Sequence, residues 1–344
     1  MMMAEEAKLL GHTIVSLDPN PQCSITAFSD CHISKDYSDE EVLEYLNEVC
    51  DVITYEFENV DLDVLNKYID KIPQKLKALK LSRNRIVEKD YAKKLGIKTP
   101  TYVEVVEKKD IFYPAIIKTI TGGYDGKGQY LLRNKEDVDQ VDNIGTVAYV
   151  CEELINYDYE ISVIATRDSF GNIGFFPIPK NTHKKGILHT SIIDESIPMD
   201  IQAVAKEYTT KLLEDLDYIG TLAVEYFVVR NDVLFNEFAP RPHNSGHYTQ
   251  DGTQVSQFKN HILAITGEEI IAPIKKENTL MINVLGQNQD FYRNSMMLDN
   301  AVNHDYYKNS NKTNRKIGHI NIPFNNQEDI KMIMSQIIKE QYHE

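Results

Sequence analysis

The sequence predicts a protein of mixed α/β and α+β class, built from three consecutive parts. A chain of 344 residues is too long for one small domain and can bury more than one core. Helical and strand patterns alternate near the start of the chain, whereas residues 112–165 are rich in strands. We therefore expect an N-terminal parallel α/β domain over 1–79, a central region over 80–268 and a small C-terminal domain over 269–344.

The N-terminal part alternates between helices and strands, which favours a parallel sheet. Gly11 is a helix stop signal, and Asp18-Pro19 ends the strand that follows. A parallel domain of this type usually opens with a strand and a glycine-rich turn, whereas this chain opens within a helix. We therefore expect that strand and its turn to be missing from this sequence. The predicted elements are a helix over 2–10, a strand over 13–17, a helix over 39–49 and a strand over 51–57.

The central part begins near residue 80 with an amphipathic helix whose stop signal is Gly96. Short apolar runs joined by turns then predict four strands, and a later pair of runs predicts a hairpin. Pro273 and the charged segment KKEN mark the start of the last part. The predicted elements are a helix within 82–96, strands within 114–120, 129–133, 147–154 and 159–166, a helix over 200–217, a hairpin over 221–238, a helix over 253–265, strands over 280–286 and 316–322, and a last helix.

The net charge restricts the class of partner. The formal charge is −15 and the isoelectric point is near 5.2. Because nucleic acids and anionic membranes both require a basic footprint, we expect neither as a partner. A small anionic substrate is compatible with this charge, since a local cluster of lysines and arginines can override the overall sign.

The cysteines and the apolar runs indicate the compartment. Cys23, Cys31, Cys50 and Cys151 form no Cys-x-x-Cys pair and have no histidines at zinc spacing. We interpret them as reduced thiols of a cytoplasmic protein. No run approaches 18 apolar residues, so no membrane span is predicted. The start, MMMAEEAKLLGH, lacks the basic segment and apolar core of a signal peptide.

Lys118 lies in the predicted strand PAIIKTI, both faces of which are largely apolar. A buried ammonium group needs an anionic partner. The loop TGGYDGKGQY, residues 121–130, follows directly, and its backbone N–H groups and the Lys127 side chain would suit phosphate oxygens. An ordinary hairpin turn with a solvated lysine is the alternative, since Asp125-Gly126 is a common turn pair.

The predicted hairpin brings two glutamates together. A three-residue turn over 230–232 would place Glu225 directly opposite Glu237, where two carboxylates repel each other. A divalent metal between them would remove that repulsion, and Mg²⁺ prefers such oxygen ligands. The alternative is that one of the two carboxylates is solvated at a sheet edge.

The segment APRPHNSGHY, residues 239–248, contains prolines, a glycine and almost no apolar side chains. It is a poor core segment, and we interpret it as a rigid anion-binding loop that directly follows a predicted metal ligand. An ordinary surface loop is the alternative. Its hydrogen-bonding side chains are Arg241, His243, Asn244, Ser245 and His247.

Three further stretches are weaker candidates, for which solvated side chains are the alternative. The segment 152–155 would present a strand edge to adenine, and Glu160 would bind ribose hydroxyls. Glu56 and Glu58 follow an apolar strand, and open α/β sheets bind ligands at the carboxyl ends of their strands. The basic stretch 308–319 would suit a phosphorylated substrate.

Together these motifs resemble the ATP-grasp superfamily. The matching residues are Lys118, TGGYDGKGQ, EELI with Glu160, Glu225 and Asn236-Glu237. Within that superfamily the chain is similar to the 5-(carboxyamino)imidazole ribonucleotide synthetases of bacterial purine synthesis. The shared segments, in the same order and over most of the chain, are YEFENV, GGYDGKGQ, NEFAPRPHNSGHYT, MINVLG and RKIGH.

The resemblance implies a central ATP-grasp fold and a reaction. ATP, bicarbonate and 5-aminoimidazole ribonucleotide would give ADP, phosphate and the carboxyamino product through carboxyphosphate. It also implies Mg²⁺, as two ions, and a homodimer. Another ATP-grasp carboxylase or ligase, such as a biotin carboxylase-like enzyme, and a catalytically silent nucleotide-binding relative are the alternatives. Members of the family usually begin with a strand and a GGGQLG-type loop at the ribonucleotide site, which is the segment expected to be missing here.

The resemblance further implies a role for each matching residue. Those implied for ATP are Arg85, Lys118, Gly122, Gly123, Tyr124, Asp125, Gly126, Lys127, Gly128, Gln129, Glu152, Glu153, Leu154, Ile155, Glu160, His183, Asn236 and Glu237. Those implied for Mg²⁺ are Glu225 and Glu237. Those implied for catalysis are Arg241, His243 and Asn244, on bicarbonate and carboxyphosphate, with Tyr124 and Asp125 facing the ribonucleotide. Those implied for ribonucleotide binding are Glu56, Glu58, Lys308, Arg315 and Lys316.

Overall fold

The computed structural model describes residues 1–122, 128–184, 186–288, 300–308, 313–326, 328–333 and 335. Its α-helices are α1 Met2–Leu9, α2 Glu40–Val49, α3 Leu62–Asn66, α4 Lys77–Ser82, α5 Arg85–Lys94, α6 Met199–Asp215, α7 Thr249–Gly252 and α8 Gln257–Ile265. Its strands are β1 Val15–Leu17, β2 Cys31–Ile33, β3 Tyr102–Val105, β4 Ala115–Thr119, β5 Gln129–Leu132, β6 Tyr149–Glu153, β7 Tyr159–Arg167, β8 Ile173–Phe175, β9 Lys180–Lys184, β10 Ile187–Ile193, β11 Gly220–Val229, β12 Asp232–Ala239, β13 Thr279–Leu285, β14 Val302–Asp305 and β15 Lys316–Pro323. No helix in the described ranges has the length and apolar character to cross a membrane.

The N-terminal part contains a parallel pairing, as expected, but the partner of β1 is β2, a strand that the sequence patterns did not predict. The strand predicted over 51–57 is wrong, because this segment forms no ladder with another strand. The N–H of Ile53 donates instead to the carbonyl of Lys71, 2.7 Å away in a connecting segment. Apolar alternation gives a segment the right faces for a strand, but a strand also requires a neighbour that supplies regular hydrogen bonds.

The helix predicted within 82–96 begins later than its pattern indicates. The Asn84 side chain accepts hydrogen bonds from the N–H groups of Ile86 and Val87, both at 3.1 Å, and so caps α5. The residues before this cap belong to a separate helix, α4. The cap places Arg85 in the first turn of α5, where its side chain reaches β12.

Two sheets carry most of the remaining chain. A four-stranded antiparallel sheet has the order β3-β6-β4-β5. The larger sheet has the order β12-β11-β7-β9-β10-β13-β15-β14, with β8 paired to β7. Its last three strands lie beyond residue 268, so the C-terminal part extends the sheet of the central part.

The β11–β12 hairpin confirms the predicted glutamate pair but not the predicted turn. The strands pair down to Val229 and Asp232, so the turn has two residues and not three. With this turn alone, Glu225 would lie opposite Asn236. A bulge at Asn236 moves the register by one residue and pairs Glu225 with Glu237.

The main core lies between α6 and the larger sheet. The apolar face of α6 includes Leu212 and Leu213, which are fully buried against side chains of β7 and β11 such as Val163 and Leu222. The 3.6-residue period of α6 thus meets the two-residue period of the strands across one dry layer.

We predict that Leu212→Ala lowers the free energy of unfolding by about 2–5 kcal/mol, because it leaves a cavity in this core. Leu9→Ala is the matched control, since Leu9 is 79% exposed and its loss should change stability by less than about 0.5 kcal/mol. Urea unfolding followed by circular dichroism measures both values. Equal destabilisation of the two variants would contradict this description of the core.

Candidate active site

Two neighbouring clefts contain most of the described candidate residues. The first has a volume of 660 Å³ and lies between α5, the inner strands of the four-stranded sheet and the β11–β12 hairpin. The second has a volume of 1290 Å³ and lies between the N-terminal part and the residues around β15. Glu56, Arg241 and Asn244 line both clefts, so a molecule in one cleft is adjacent to a molecule in the other.

A buried glutamate between two lysines forms one wall of the first cleft. Glu152 Oε2 lies 2.8 Å from Lys118 Nζ, and Glu152 Oε1 lies 3.0 Å from Lys89 Nζ. Burial favours a raised pKa for Glu152, but the two ammonium groups lower that pKa to about 2. Burial lowers the pKa of Lys118, and the Glu152 charge opposes this shift. The strand lysine therefore has the anionic partner that its apolar surroundings require.

The Glu225–Glu237 pair also lines the first cleft. Its two negative charges are not compensated equally by neighbouring cations. Arg85 donates a 2.6 Å hydrogen bond to Glu237, and the charges of Arg85 and Lys118 lower the pKa of Glu237 to about 2 against the effect of burial. Burial and the neighbouring Glu237 charge raise the pKa of Glu225 to about 7. A carboxylate with this environment favours a cation or a proton.

The two glutamates suit Mg²⁺ that takes its other ligands from phosphate and water, rather than a metal ion whose ligands are all protein side chains. Within the described ranges, no group of three or more histidine, cysteine, aspartate or glutamate side chains can hold a metal ion. Mg²⁺ commonly uses one or two carboxylates and takes its other ligands from phosphates and water. Glu225 and Glu237, with the Asn236 amide donating to Glu225 at 3.4 Å, match that pattern.

The turn that follows β12 is held by a buried glutamine. The N–H of His243 donates to Gln257 Oε1 at 2.9 Å, and Gln257 Nε2 donates to the His243 carbonyl at 2.7 Å. A Cβ at Gly246 would lie 2.4 Å from the same Gln257 oxygen, so this close approach requires glycine. Arg241 donates from Nε to Glu58 at 2.8 Å, which fixes its guanidinium at the junction of the two clefts.

The hydrogen bonds of His243 define which ring nitrogen carries its proton. The backbone N–H of Ser245 points at Nδ1, 3.3 Å away, and the Ser245 hydroxyl is 2.9 Å from the same atom. A backbone N–H only donates, so Nδ1 is the acceptor and the proton is on Nε2. Burial and the Arg241 charge lower the pKa of His243 to about 3, which keeps the ring neutral. His243 Nε2 lies 3.9 Å from Glu225 Oε1, and His243 lines the first cleft.

Both polar and apolar side chains line the part of the first cleft near the end of β6. Glu160 Oε2 lies 2.6 Å from His183 Nδ1, and this contact lowers the pKa of Glu160 against the effect of burial. Leu154 and Ile155 follow β6 at the cleft wall. The rings of Tyr157 and Phe227 stack at 5.0 Å and add an aromatic surface to that wall.

The second cleft has a cationic end. Lys308, Arg315 and Lys316 line it close to the 239–248 segment. Lys316 Nζ donates to Asn244 Oδ1 at 3.1 Å, and Lys308 Nζ donates to the carbonyl of Lys316 at 2.7 Å. The basic stretch predicted from the sequence therefore contacts the predicted anion-binding loop directly.

The structure brings nearly all described candidates to these clefts. Gly128 does not line either of them; its carbonyl accepts from Thr119 N at 3.1 Å in the turn between β4 and β5. Five candidates lie outside the described residues: Gly123, Tyr124, Asp125, Gly126 and Lys127. Those that line a cleft are Glu56, Glu58, Arg85, Lys118, Gly122, Gln129, Glu152, Glu153, Leu154, Ile155, Glu160, His183, Glu225, Asn236, Glu237, Arg241, His243, Asn244, Lys308, Arg315 and Lys316.

Sequence reasoning missed several residues at the site. Lys89 is fully buried. The sequence feature that could have indicated its burial is its position among the apolar residues of α5, close to Tyr91 and Ala92. Gln257 resembles an ordinary helix residue, because its contact with the 243–246 turn depends on how α8 packs. Phe227 alternates with Glu225 on β11, so it was recognisable as a neighbour on the same face of that strand.

Comparison of the chain with known protein families gives three matches. A ribonucleotide synthetase preATP-grasp domain matches residues 1–81, and an ATP-grasp domain matches residues 90–258. A phosphoribosylaminoimidazole carboxylase C-terminal domain matches residues 279–332. The three matches follow the chain in the order that the sequence predicted.

Individual relatives agree with the domain matches. An N5-carboxyaminoimidazole ribonucleotide synthase of Staphylococcus aureus strain COL is 39% identical over 305 residues, which is 85% of this chain and 81% of that protein. The synthase of Staphylococcus haemolyticus is 36% identical and covers 97% of this chain and 92% of its own. The crystal structure of the Staphylococcus aureus synthetase with ADP has a TM-score of 0.92, 36% identity and coverage of 97% and 92%. The chain therefore belongs to the N5-carboxyaminoimidazole ribonucleotide synthase family, ATP-dependent ligases of de novo purine biosynthesis.

Proposed function

We propose that the protein uses ATP and bicarbonate to carboxylate the amine of 5-aminoimidazole ribonucleotide, giving 5-(carboxyamino)imidazole ribonucleotide, ADP and phosphate. The observation that carries this proposal is the junction of two clefts at Arg241 and Asn244. One cleft has the cations and paired carboxylates that a nucleoside triphosphate requires. The other has the cationic end that a phosphorylated second substrate requires.

In the first step, a bicarbonate oxygen attacks the γ-phosphorus of ATP, the bond to the β-phosphate oxygen breaks, and carboxyphosphate and ADP form. Such a transfer needs positioning and charge neutralisation more than covalent participation by the protein. Arg85 and Lys118 would contact the phosphates from fixed positions. Glu160 and His183 would bind the ribose, while Leu154 and Ile155 would contact the adenine.

Glu225 and Glu237 would hold Mg²⁺, as two ions, with Asn236 beside them. The unbalanced charge of the two carboxylates supports this assignment. When bound, Mg²⁺ neutralises the negative charge of the phosphates and orients them.

Arg241, His243 and Asn244 would hold bicarbonate and then carboxyphosphate. The orientation of His243 supports this role, since its Nε2–H group is a neutral donor facing the first cleft. The ribonucleotide amine then forms a bond to the carboxyl carbon, directly or after release as CO₂. The bond between that carbon and the phosphate oxygen breaks, and the leaving phosphate takes up the amine proton. Carboxyphosphate reacts with water, so water must be excluded while it exists.

Lys308, Arg315 and Lys316 would bind the phosphate of the ribonucleotide, with Glu56 and Glu58 nearby. Their position on the second cleft, beside Arg241 and Asn244, supports this assignment. Tyr124 and Asp125 stay predicted partners of the same substrate and lie outside the described residues.

We also propose a homodimer in the cytoplasm, with domain boundaries near residues 79 and 268. The family resemblance supports the dimer, and the four unpaired cysteines are consistent with a reducing compartment. Light scattering should give twice the chain mass of 39.5 kDa.

The reaction itself is tested by phosphate release from ATP and Mg²⁺. We expect the rate to rise when bicarbonate and 5-aminoimidazole ribonucleotide are both added, and to fall when either is omitted, because each substrate occupies one of the joined clefts. Direct detection of the carboxyamino product by its conversion in a coupled assay is the second readout. Bicarbonate-dependent phosphate release that biotin stimulates and the ribonucleotide does not would overturn the proposal.

Replacing Glu237 tests the metal site. We expect Glu237→Gln to lower kcat by at least about 100-fold, because it removes a charge that would hold Mg²⁺ against the phosphates. Glu207→Gln, on the exposed face of α6, is the matched control and should retain the parental rate. Unchanged ATP turnover in Glu237→Gln would show that the metal assignment is wrong.

Two lysines near the phosphates are expected to differ in importance. Lys118→Ala should lower kcat by about 100-fold, since Lys118 is held on a strand by Glu152. Lys127→Ala, in the glycine-rich loop outside the described residues, should have a clearly smaller effect. Steady-state phosphate release compares the two variants, with circular dichroism as the folding control. Equal losses would contradict the prediction.

A further inference from the structure

A buried group of aromatic rings lies behind the cationic end of the second cleft. Tyr306 Oη is 2.7 Å from His247 Nδ1 and 2.7 Å from His319 Nδ1. The His319 ring also stacks on His304 at 4.4 Å. Tyr306, His247 and His319 are each no more than 5% exposed, so water does not compete for these hydrogen bonds. None of the three residues has a role in the mechanism proposed above.

The donors around this group allow one arrangement of its protons. Lys316 Nζ lies 2.9 Å from His247 Nδ1, and an ammonium group only donates, so Nδ1 of His247 is an acceptor. Tyr306 donates its hydroxyl proton to the same nitrogen, because two acceptors at 2.7 Å would repel each other, so the hydroxyl and the ammonium group share the single lone pair of His247 Nδ1. The Tyr306 oxygen then accepts from His319, whose proton is on Nδ1.

Two further observations agree with this order. His319 Nε2, the nitrogen left without a proton, is buried and has no hydrogen-bond partner among the described residues. Burial and the Lys316 charge hold the pKa of His247 and that of His319 well below their usual value, so both rings are neutral. A neutral imidazole can accept from Lys316, whereas a protonated one would repel it.

The chain of hydrogen bonds ends at the cations that line the second cleft. Lys316 Nζ is held by His247 and by Asn244 Oδ1 at 3.1 Å. The Tyr306 ring lies beneath both lysines, with its centroid 5.3 Å from Lys308 Nζ and 5.5 Å from Lys316 Nζ. A single side chain thus contacts both lysines by its ring, and its hydroxyl meets Lys316 on the same nitrogen of His247.

We propose that Tyr306 is a positioning residue for the phosphorylated substrate of the second cleft. Its hydroxyl, ordered by His319, holds the His247 ring with Nδ1 facing Lys316, so that the ammonium group is preset beside Asn244 before substrate binds. The inference rests on the proposed function, since it takes the second cleft to be the ribonucleotide site. Lysine side chains that are already held in place lose less conformational freedom when the substrate binds. Loss of the Tyr306 hydroxyl should therefore weaken substrate binding and leave the rate of the chemical step unchanged.

The test is Tyr306→Phe, which removes only the hydroxyl and keeps the ring. We expect KM for the ribonucleotide to rise about three- to tenfold, the effect of one buried hydrogen bond, with kcat and KM for ATP changed by less than about twofold. Tyr226→Phe is the matched control. Tyr226 is equally buried, but its hydroxyl contacts the Thr209 hydroxyl at 3.0 Å within the main core.

A double-mutant cycle with Lys316→Ala decides whether Tyr306 acts through that lysine. In the Lys316→Ala background, Tyr306→Phe should raise KM for the ribonucleotide by less than about twofold. The same rise in both backgrounds, an equal rise in Tyr226→Phe, or a change in kcat without a change in KM would overturn the inference. A parent protein without ribonucleotide-dependent turnover would overturn the proposed function itself, which the Tyr306→Phe comparison alone cannot do.

Discussion

The ion pairs of Glu152 with Lys118 and Lys89 connect the elements that form the first cleft. Glu152 belongs to β6, Lys118 to β4 and Lys89 to α5, and Lys89 also donates to the carbonyl of Asn236 on β12 at 3.0 Å. One buried carboxylate thus links both sheets and the helix between them. Removing one partner of such a group leaves an uncompensated charge, typically at a cost of about 3–5 kcal/mol. The lysine that faces the cleft is consequently fixed in place before any ligand arrives.

The second group of charges in the cleft is arranged differently. Glu225 and Glu237 oppose each other across β11 and β12, and Arg85 compensates only one of them. Glu152 has a lysine on each oxygen, so its charge contributes to the packing of the fold. The charge of the Glu225–Glu237 pair is only partly compensated and can attract a ligand. The bulge at Asn236 is essential to this difference, since a regular hairpin would pair Glu225 with an amide.

The turn from His243 to His247 links the two clefts because networks hold it from both sides. On one side, the Ser245 hydroxyl accepts from Ser162 at 2.7 Å and reaches His243. On the other side, Lys316 and Tyr306 converge on His247. The same short segment therefore orients a donor toward the first cleft and a cation toward the second. Such an arrangement suits a reaction in which an unstable product of one cleft is consumed in the other.

Local sequence patterns determined the strands around Lys118, the hairpin of Glu225 and Glu237, and the candidate residues of both clefts. Alternation of apolar residues, turn residues and short motifs are properties of neighbouring positions, so they are readable without a structure. Only the tertiary structure decided that 51–57 forms no strand, that a bulge sets the glutamate register, and that Lys89 and Tyr306 belong to the networks around Lys118 and Lys316. These features depend on partners far away in the chain, such as Glu152 for Lys89 and His247 for Tyr306. Burial and charge compensation between such distant groups leave no periodic signal in the sequence, because they arise only when the elements pack.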